Sequence, residues 1–395
     1  MSSGTVEDLA RPSPGSTSSL RVANLHRVIK VLQEAPAGNP VTQADIARAT
    51  KLAPATVSNI VRELHAAGFV DTTAGAGRRG TAVRISRGAG LVVGIDFGHQ
   101  HLRVAISDLA GAILAETSRQ LASSHACEEG LELATTLRDE LLEGLAASPD
   151  AVLAIGLGLP APIGADGLVV SSSILPGWVG VKADAVATER FGKPVIIDND
   201  ANLGALAEHR RGAGIGHPCM VYVKVSSGVG AGIIIDGRLF RGGGGTAGEI
   251  GHLTLNDSGP VCRCGNRGCL EAYTSVTTVK DLLAVQHPNA SFAEIVAAAR
   301  VADTASRRVI EDAGRQLGWG LAMVSNLLNP TCLVVGGDMA QAGDMLLDAI
   351  RTGLRRYALG SLGATVELRT ALLGDRAPVL GAVLLALDHV EPALP

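Results

Sequence analysis

Between Glu249 and Ala272 the chain reads EIGHLTLNDSGPVCRCGNRGCLEA. His252, Cys262, Cys264 and Cys269 supply one imidazole and three thiolates, a soft four-donor set that suits tetrahedral zinc. Free buried cysteines seldom bunch this way. One structural Zn2+ per chain is therefore predicted. Sites of this kind contribute on the order of 10 kcal/mol to ordering their loops. Here that order would fix Glu249 and Glu271, the two carboxylates that flank the cluster.

A second candidate group lies at Asp198-Asn199-Asp200-Ala201-Asn202, after the apolar run from Val195. A helix beginning near Ala201 would put Asp200 at its N-cap, which is one sufficient reason for an aspartate there. The other reading is a carboxylate at a strand end beside a cleft, able to accept a proton from a sugar hydroxyl. Two glycine hairpins could face that carboxylate. Leu91–Asp108 (LVVGIDFGHQHLRVAISD) and Met220–Gly237 (MVYVKVSSGVGAGIIIDG) share one rhythm of buried strand, glycine turn and return strand. The pair reads as an internal duplication at domain scale. Glycine turns of this kind let backbone N–H groups approach phosphates closely.

These groups need a scaffold, and the composition bounds it. The 395 residues are 47% hydrophobic and 3% aromatic, with 49 glycines. That excludes wholesale disorder and favours an α/β protein with many tight turns over a β-sandwich. The net charge of −4 is unevenly spread. Residues 1–88 hold 11 basic and 6 acidic side chains, and the rest holds 23 and 32. A polyanion partner would thus be met by the head. No apolar secretory core precedes it, and the longest uncharged run, Gln316 to Gly337, is broken by Asn326, Asn329 and Pro330. This predicts a helix ending near Leu328 and a strand at Cys332–Val335 rather than a membrane span. A cytoplasmic protein with no membrane partner is the expectation, and cysteines bunched as ligands fit a reducing compartment.

After a flexible tail at 1–19, helical spacing begins at Leu20–Glu34. Thr42 should cap a short helix at Gln43–Ala49, and Pro54 should open a third running to about Ala67. In that third helix Val57, Ile60, Val61 and Leu64 form the buried stripe, leaving Thr56, Ser58, Asn59 and Arg62 outside. A hairpin follows, Phe69–Thr73 and Thr81–Ser86, with Arg78 and Arg79 at its tip. Three helices and a basic hairpin make a winged helix-turn-helix at 20–88. Its third helix would read base edges of double-stranded operator DNA, while the wing arginines reach phosphate or the minor groove.

The body resembles the ROK family (repressors, open reading frames and sugar kinases), specifically its winged-helix branch of regulators. The resemblance rests on E-x-G-H at 249–252, C-x-C-G-x-x-G-C-L-E at 262–271 and N-D-A-N at 199–202. It implies a duplicated actin-like (ribonuclease-H-like) sugar-kinase fold. The first subdomain would span 91–200 and be completed by a C-terminal helix at about 378–392. The second would span 201–377. It also implies that Asn199, Asp200, Glu249, His252 and Glu271 bind sugar hydroxyls and that Asp200 stands at the kinase-base position. Gly228, Gly230 and Gly232 match a phosphate turn, and Gly336 and Gly337 an adenosine-side turn.

The departures bear on activity. Kinases of the family read D-x-G-G-T in the first phosphate loop, whereas here Asp96-Phe97-Gly98 is followed by His99 and Gln100. Asp338 adds negative charge after Gly336-Gly337, and Ile174 replaces a polar residue before Leu-Pro-Gly-Trp. The sequence thus favours a sugar-responsive DNA-binding regulator, sensing a sugar or phosphosugar with a vestigial Asp200, over a hexose kinase with an appended head. Paired half-sites call for a homodimer or homotetramer.

Overall fold

In a computed structural model, the structure describes residues 17–33, 35, 41–74, 80–86, 88–122, 125–170, 175–360 and 365–390. The chain divides into two compact units. One holds Met1–Leu91 with Ser107–Ala112 and Val390–Pro395, and the other holds Val92–Ile106 and Ile113–His389.

The first unit contains three helices, α1 (Thr17–Gln33), α2 (Gln43–Thr50) and α3 (Pro54–Ala66). The backbone of α1 starts inside the stretch read as a tail; residues 1–16 lie outside the described residues. A capping box starts α2: the Thr42 hydroxyl accepts from the Asp45 amide at 3.2 Å, and the Asp45 carboxylate accepts from the Thr42 amide at 3.0 Å. Lys51 ends the helix in a left-handed conformation, and Pro54 opens α3 three residues later. Strands β1 (Val41–Thr42), β2 (Val70–Ala74) and β3 (Thr81–Ile85) form a sheet in the order β1-β3-β2, with β2 and β3 paired antiparallel. Ile46, Val57, Val61 and Leu64 are buried at the centre of the helical layer. This is a winged helix-turn-helix.

The second unit is built on two five-stranded sheets of identical strand order. The first comprises β4 (Leu91–Phe97), β5 (His101–Asp108), β6 (Ile113–Gln120), β7 (Val152–Leu159) and β8 (Val195–Asn199), ordered β6-β5-β4-β7-β8. The second comprises β9 (Met220–Val225), β10 (Val229–Ile235), β11 (Arg238–Phe240), β12 (Cys332–Gly336) and β13 (Glu367–Thr370), ordered β11-β10-β9-β12-β13. The duplication read from two hairpins thus extends to all five strands of each half. The fold is the actin-like kinase fold. The helix α10 (Thr304–Leu328; α4 to α9 precede it at Cys127–Gly144, Ala183–Phe191, Asp200–Arg211, Glu271–Thr274, Val276–Leu282 and Phe292–Arg300) ends at a left-handed Asn329 just before β12, where the uncharged run predicted a break. No helix among the described residues is long and apolar enough to cross a membrane.

Two helices tie the halves together. Helix α6 follows β8 yet packs on β9 and β10, and α12 (Ala377–Asp388, after α11 at Asp344–Tyr357) follows β13 yet packs on β7. The contacts are backbone on backbone. A Cβ at Gly156 would lie 1.9 Å from the Ala382 carbonyl oxygen, and one at Gly381 would lie 2.0 Å from that of Leu203. At the far end of α6 the Glu208 carboxylate, fully buried, accepts amides from Ala213 (2.7 Å), Leu372 (3.1 Å) and Leu373 (2.7 Å). Removing it would take the acceptor from three backbone donors, of which the bond to Ala213 is buried.

The packing makes a stability prediction. Gly156→Ala should destabilise the chain by about 1–3 kcal/mol, because the added methyl meets rigid backbone. Gly144→Ala, with nothing within 4 Å of the new carbon, should be neutral or stabilising by up to ~0.5 kcal/mol. Urea unfolding of the two variants beside the parent checks this; equal losses would contradict it.

Candidate ligand cleft and metal centre

The segment from Ile250 to Cys269 is stitched by short backbone bridges, Thr254 with Cys269 and Val261 with Arg267. Gly268, at φ 65°, accommodates a crossing where any Cβ would lie 1.6 Å from the Asn256 carbonyl oxygen. These turns bring His252, Cys262, Cys264 and Cys269 together with all ligand atoms within 4.8 Å of one another. Sγ of Cys264 and Cys269 stand 3.8 Å apart, as do Cys262 Sγ and His252 Nδ1. Thiolates bound to zinc at about 2.3 Å in a tetrahedron stand about 3.75 Å apart, so the donor set fits a structural tetrahedral ion. His252 turns its other nitrogen, Nε2, to within 4.0 Å of Glu249 Oε2.

Asn199, Asp200, Glu249, His252 and Glu271 all line one cavity of about 1480 Å³. That exceeds the usual range of roughly 300–1,000 Å³ for small-molecule pockets. The same wall carries His99, Gln100, Gly228, Gly230, Gly337 and Asp338. Gly232 and Gly336 are not on it. A Cβ at Gly232 would lie 2.4 Å from the Ala201 carbonyl oxygen, and one at Gly336 would lie 2.4 Å from Tyr222 Oη. Both glycines serve close packing rather than the phosphate and adenosine turns that the resemblance implied.

The start of α6 also differs from expectation by one residue. Asn199 is the N-cap, its Oδ1 accepting from the amides of Ala201 (2.9 Å) and Asn202 (3.4 Å), while its Nδ2 donates to the Ala161 carbonyl at 3.1 Å. Asp200 is the first helical residue and is buried, so its carboxylate is released from capping and points into the cleft wall.

Three buried carboxylates, Asp198, Asp200 and Glu271, meet cations that sequence reading missed. Lys224 Nζ lies 2.5 Å from Asp200 Oδ2. Arg263 forks onto Glu271 with bonds of 2.7 and 2.8 Å, and Glu271 also accepts the Val229 amide at 3.0 Å. Asp198 takes Arg241 at 2.8 Å and Asn202 Nδ2 at 2.7 Å. A signal existed for two of these cations. Lys224 is the one charged residue in the apolar strand β9, and Arg263 sits between two cysteines of the cluster. Burial pushes the Asp200 carboxyl upward, and Lys224 opposes that shift. Burial works against the Lys224 charge, but Asp200 and Asp96 outweigh it and hold the ammonium above the ordinary lysine value. Glu249 is pushed up to about 7, first by burial and then by the charges of Asp200 and Glu271.

On the phosphate side, the first turn is covered by its own chain. The His101 ring lies over Gly98, with ring atoms 2.0–2.5 Å from where a Cβ would stand, and its Nε2 is 3.3 Å from Asp96 Oδ2. His99 lines the cleft beside it, its pKa lowered by burial and then by Arg263. Across the cleft the Asp338 amide donates to the Ser226 hydroxyl at 3.1 Å, which leaves that donor committed within the chain. Ile174 lies outside the described residues.

In the winged unit, Asn59 and Arg62 are exposed on α3, and Thr56 and Ser58 are half-buried on the same helix. Arg78 and Arg79 lie outside the described residues.

Comparison with known proteins follows the same division. Residues 92–389 match the ROK family, and residues 23–80 match the MarR family. The xylose repressor of Bacillus subtilis (strain 168) is 30% identical over 363 residues, covering 91% of this chain and 94% of that protein. The crystal structure of a ROK family transcriptional regulator, a homolog of the E. coli MLC protein, superposes with a TM-score of 0.80 at 27% identity. It covers 94% of this chain and 96% of that one. A ROK family glucokinase from Streptomyces griseus, in complex with glucose and AMPPNP, gives 0.66 at 28% identity over 75% of this chain and 99% of that one. With its family match running through the whole duplicated fold and a MarR-type winged helix ahead of it, the chain belongs to the ROK family.

Proposed function

We infer that the chain is a sugar-responsive transcriptional repressor. The observation that carries this is a likeness to a xylose repressor and to a ROK regulator structure that runs through both the winged helix and the sensor body. In this reading residues 20–88 bind operator DNA in the cytoplasm. Thr56, Ser58, Asn59 and Arg62 face base edges, and Arg78 and Arg79 contact phosphate or the minor groove. The two halves of the sensor are 91–200, completed by the C-terminal helix, and 201–377. Asn199, Asp200, Glu249, His252 and Glu271 hold the sugar hydroxyls. Asn199 and Glu271 have little freedom, because both polar atoms of each side chain are already bonded within the chain. Zinc on His252, Cys262, Cys264 and Cys269 would fix the loop that presents Glu249 and Glu271, one ion per chain. The protein acts as a homodimer or homotetramer, and the sugar shifts the placement of its winged helices by as much as its affinity differs between the two arrangements.

The kinase reading has one observation in its favour, the glucokinase likeness that spans the body. Against it stand the His101 ring over the first turn and the committed Asp338 amide. Phosphoryl transfer is mainly positioning and charge stabilisation, and Asp200 without a positioned phosphate does little.

Operator affinity, followed against salt, should fall for all sequences in the Arg78→Ala/Arg79→Ala variant, with the slope reduced by about one unit per lost phosphate contact. Asn59→Ala should instead cost on the order of 1–3 kcal/mol at one or two base pairs. Unchanged salt slopes in the arginine variant would remove the wing from the interface.

Metal analysis of the purified chain should find about one zinc per chain. Cys264→Ser should lose both metal and sugar binding. Normal sugar binding without zinc would uncouple the two sites. Coupled ATP turnover over a panel of hexoses and N-acetylhexosamines should not rise above an Asp200→Asn blank. A rate near ~1 s⁻¹ that vanishes in the blank would restore the kinase.

A further inference from the structure

We propose that Lys224 is a resident cation standing between Asp96 and Asp200, where two cleft carboxylates would otherwise call for a divalent metal. In consequence the cleft takes its ligand without such a metal and Asp200 serves as a fixed hydrogen-bond acceptor. The proposal rests on the sensor reading for its biological meaning, but not for its test.

The placement of the lysine is built into the sheet. Lys224 lies on β9, the central strand of the second sheet, directly opposite Gly230 on β10 and Gly336 on β12. Cross-strand neighbours project to the same face, and here neither carries a side chain. The lysine stem therefore runs to the cleft unobstructed. Its side chain is only 18% exposed and its ammonium is bonded to Asp200, itself buried.

Asp96 comes from the opposite half, at the end of β4, and is 1% exposed. Its Oδ2 is near His101, and its Oδ1 has no hydrogen-bond partner among the described residues. An orphaned, buried carboxylate oxygen on a residue that lines the same cavity as a second buried carboxylate is a donor set suited to a hard divalent cation. Lys224 feels the charge of both aspartates. A compact ammonium at that point answers their charge from within the chain and repels a second cation.

Two chemical consequences follow. Phosphoryl transfer needs metal ions bridging the phosphates, and a fixed ammonium cancels one of the two carboxylate charges such an ion would need and repels the ion itself. A general base must also become neutral as it takes its proton. Protonating Asp200 would strand a largely buried ammonium, the costly way to break a buried pair. Asp200 can still accept a hydrogen bond from a ligand hydroxyl, because a carboxylate has more lone pairs than Lys224 occupies. The lysine thus turns a proton-accepting position into a recognition position.

The experiment uses the full zinc-loaded chain with Mn2+ as the probe, followed by electron paramagnetic resonance and calorimetry. The parent chain should take up no Mn2+ in the cleft at millimolar concentration. Lys224→Met, nearly isosteric but uncharged, should bind one ion at least about tenfold more tightly than the parent's limit, and adding Asp200→Asn should abolish that uptake. Lys224→Met should also melt several degrees lower in metal-free buffer, with recovery on adding either Mn2+ or Asp200→Asn, while Lys224→Arg stays near the parent.

A parent chain that binds Mn2+ in a manner lost in Asp200→Asn would overturn the proposal, as would a folded Lys224→Met that binds none. Should Lys224→Met alone fail to fold, rescue by Asp200→Asn supports the pairing and failure to rescue refutes it. A parallel thermal-shift series of free aldoses on the parent chain addresses the sensor reading separately. A flat series there, with the Mn2+ result as expected, would remove the sensor and leave the resident cation in place.

Discussion

The cleft exists because two helices have exchanged sheets. Each half of the body ends in a helix that packs on the other half, and the two helices touch backbone to backbone where Gly381 passes Leu203. A side chain at that crossing would hold the helices apart and with them the two sheets. Everything chemical in the cleft is suspended from this contact. Asp96 and His101 come from one sheet, Lys224 and the glycine hairpin after it from the other, and Asp200 from the exchanged helix itself. Close glycine packing is thus the condition under which a carboxylate from one half can meet an ammonium from the other.

The His/Cys cluster and the carboxylates form a second layer of dependence. Arg263 lies between two cysteines of the cluster and its guanidinium holds Glu271, which follows the last cysteine by two residues. The orientation of Glu271 is therefore set twice, once through the chain from Cys269 and once through space from Arg263. The cleft differs from a simple row of acceptors for hydroxyls. Asp200 and Glu271 each come with a fixed cation partner, and at these two a ligand meets groups whose charge is already balanced.

Much of this was legible in the sequence, and the exceptions have physical causes. The gathering of His252 and the three cysteines was readable because they cluster within a short stretch, a bunching that core packing alone rarely produces. The capping box at Thr42 and the break at Asn329 were readable because both are local, decided by residues a few positions apart. The same local reasoning misplaced the N-cap by one residue, since Asn199 and Asp200 are both good caps and only the strand geometry chooses between them. Gly232 and Gly336 looked like turn glycines because sequence carries no information on which helix or ring will press against them. Lys224 was visible as a charge inside an apolar strand, but its partner is 24 residues away on another element, beyond any periodicity. His101 was passed over for its neighbours His99 and Gln100, because a ring folding back over its own turn leaves no pattern in the sequence.

Helix α6 joins these observations mechanically. Its first residue is Asp200, Leu203 makes the crossing with α12, and Glu208 toward its far end is bonded to the segment at Leu372 and Leu373. At 1.5 Å per residue the crossing stands about 4.5 Å along the axis from Asp200 and about 7.5 Å from Glu208. A tilt of about ten degrees about that pivot moves Asp200 by roughly 0.8 Å, close to the misplacement that costs a bound group its alignment, and Glu208 by roughly 1.3 Å. Because close packing makes such a rod tilt rather than bend, a displacement at Asp200 arrives at the 372–373 segment enlarged and with opposite sense. The helix is a first-class lever whose fulcrum is a single missing side chain.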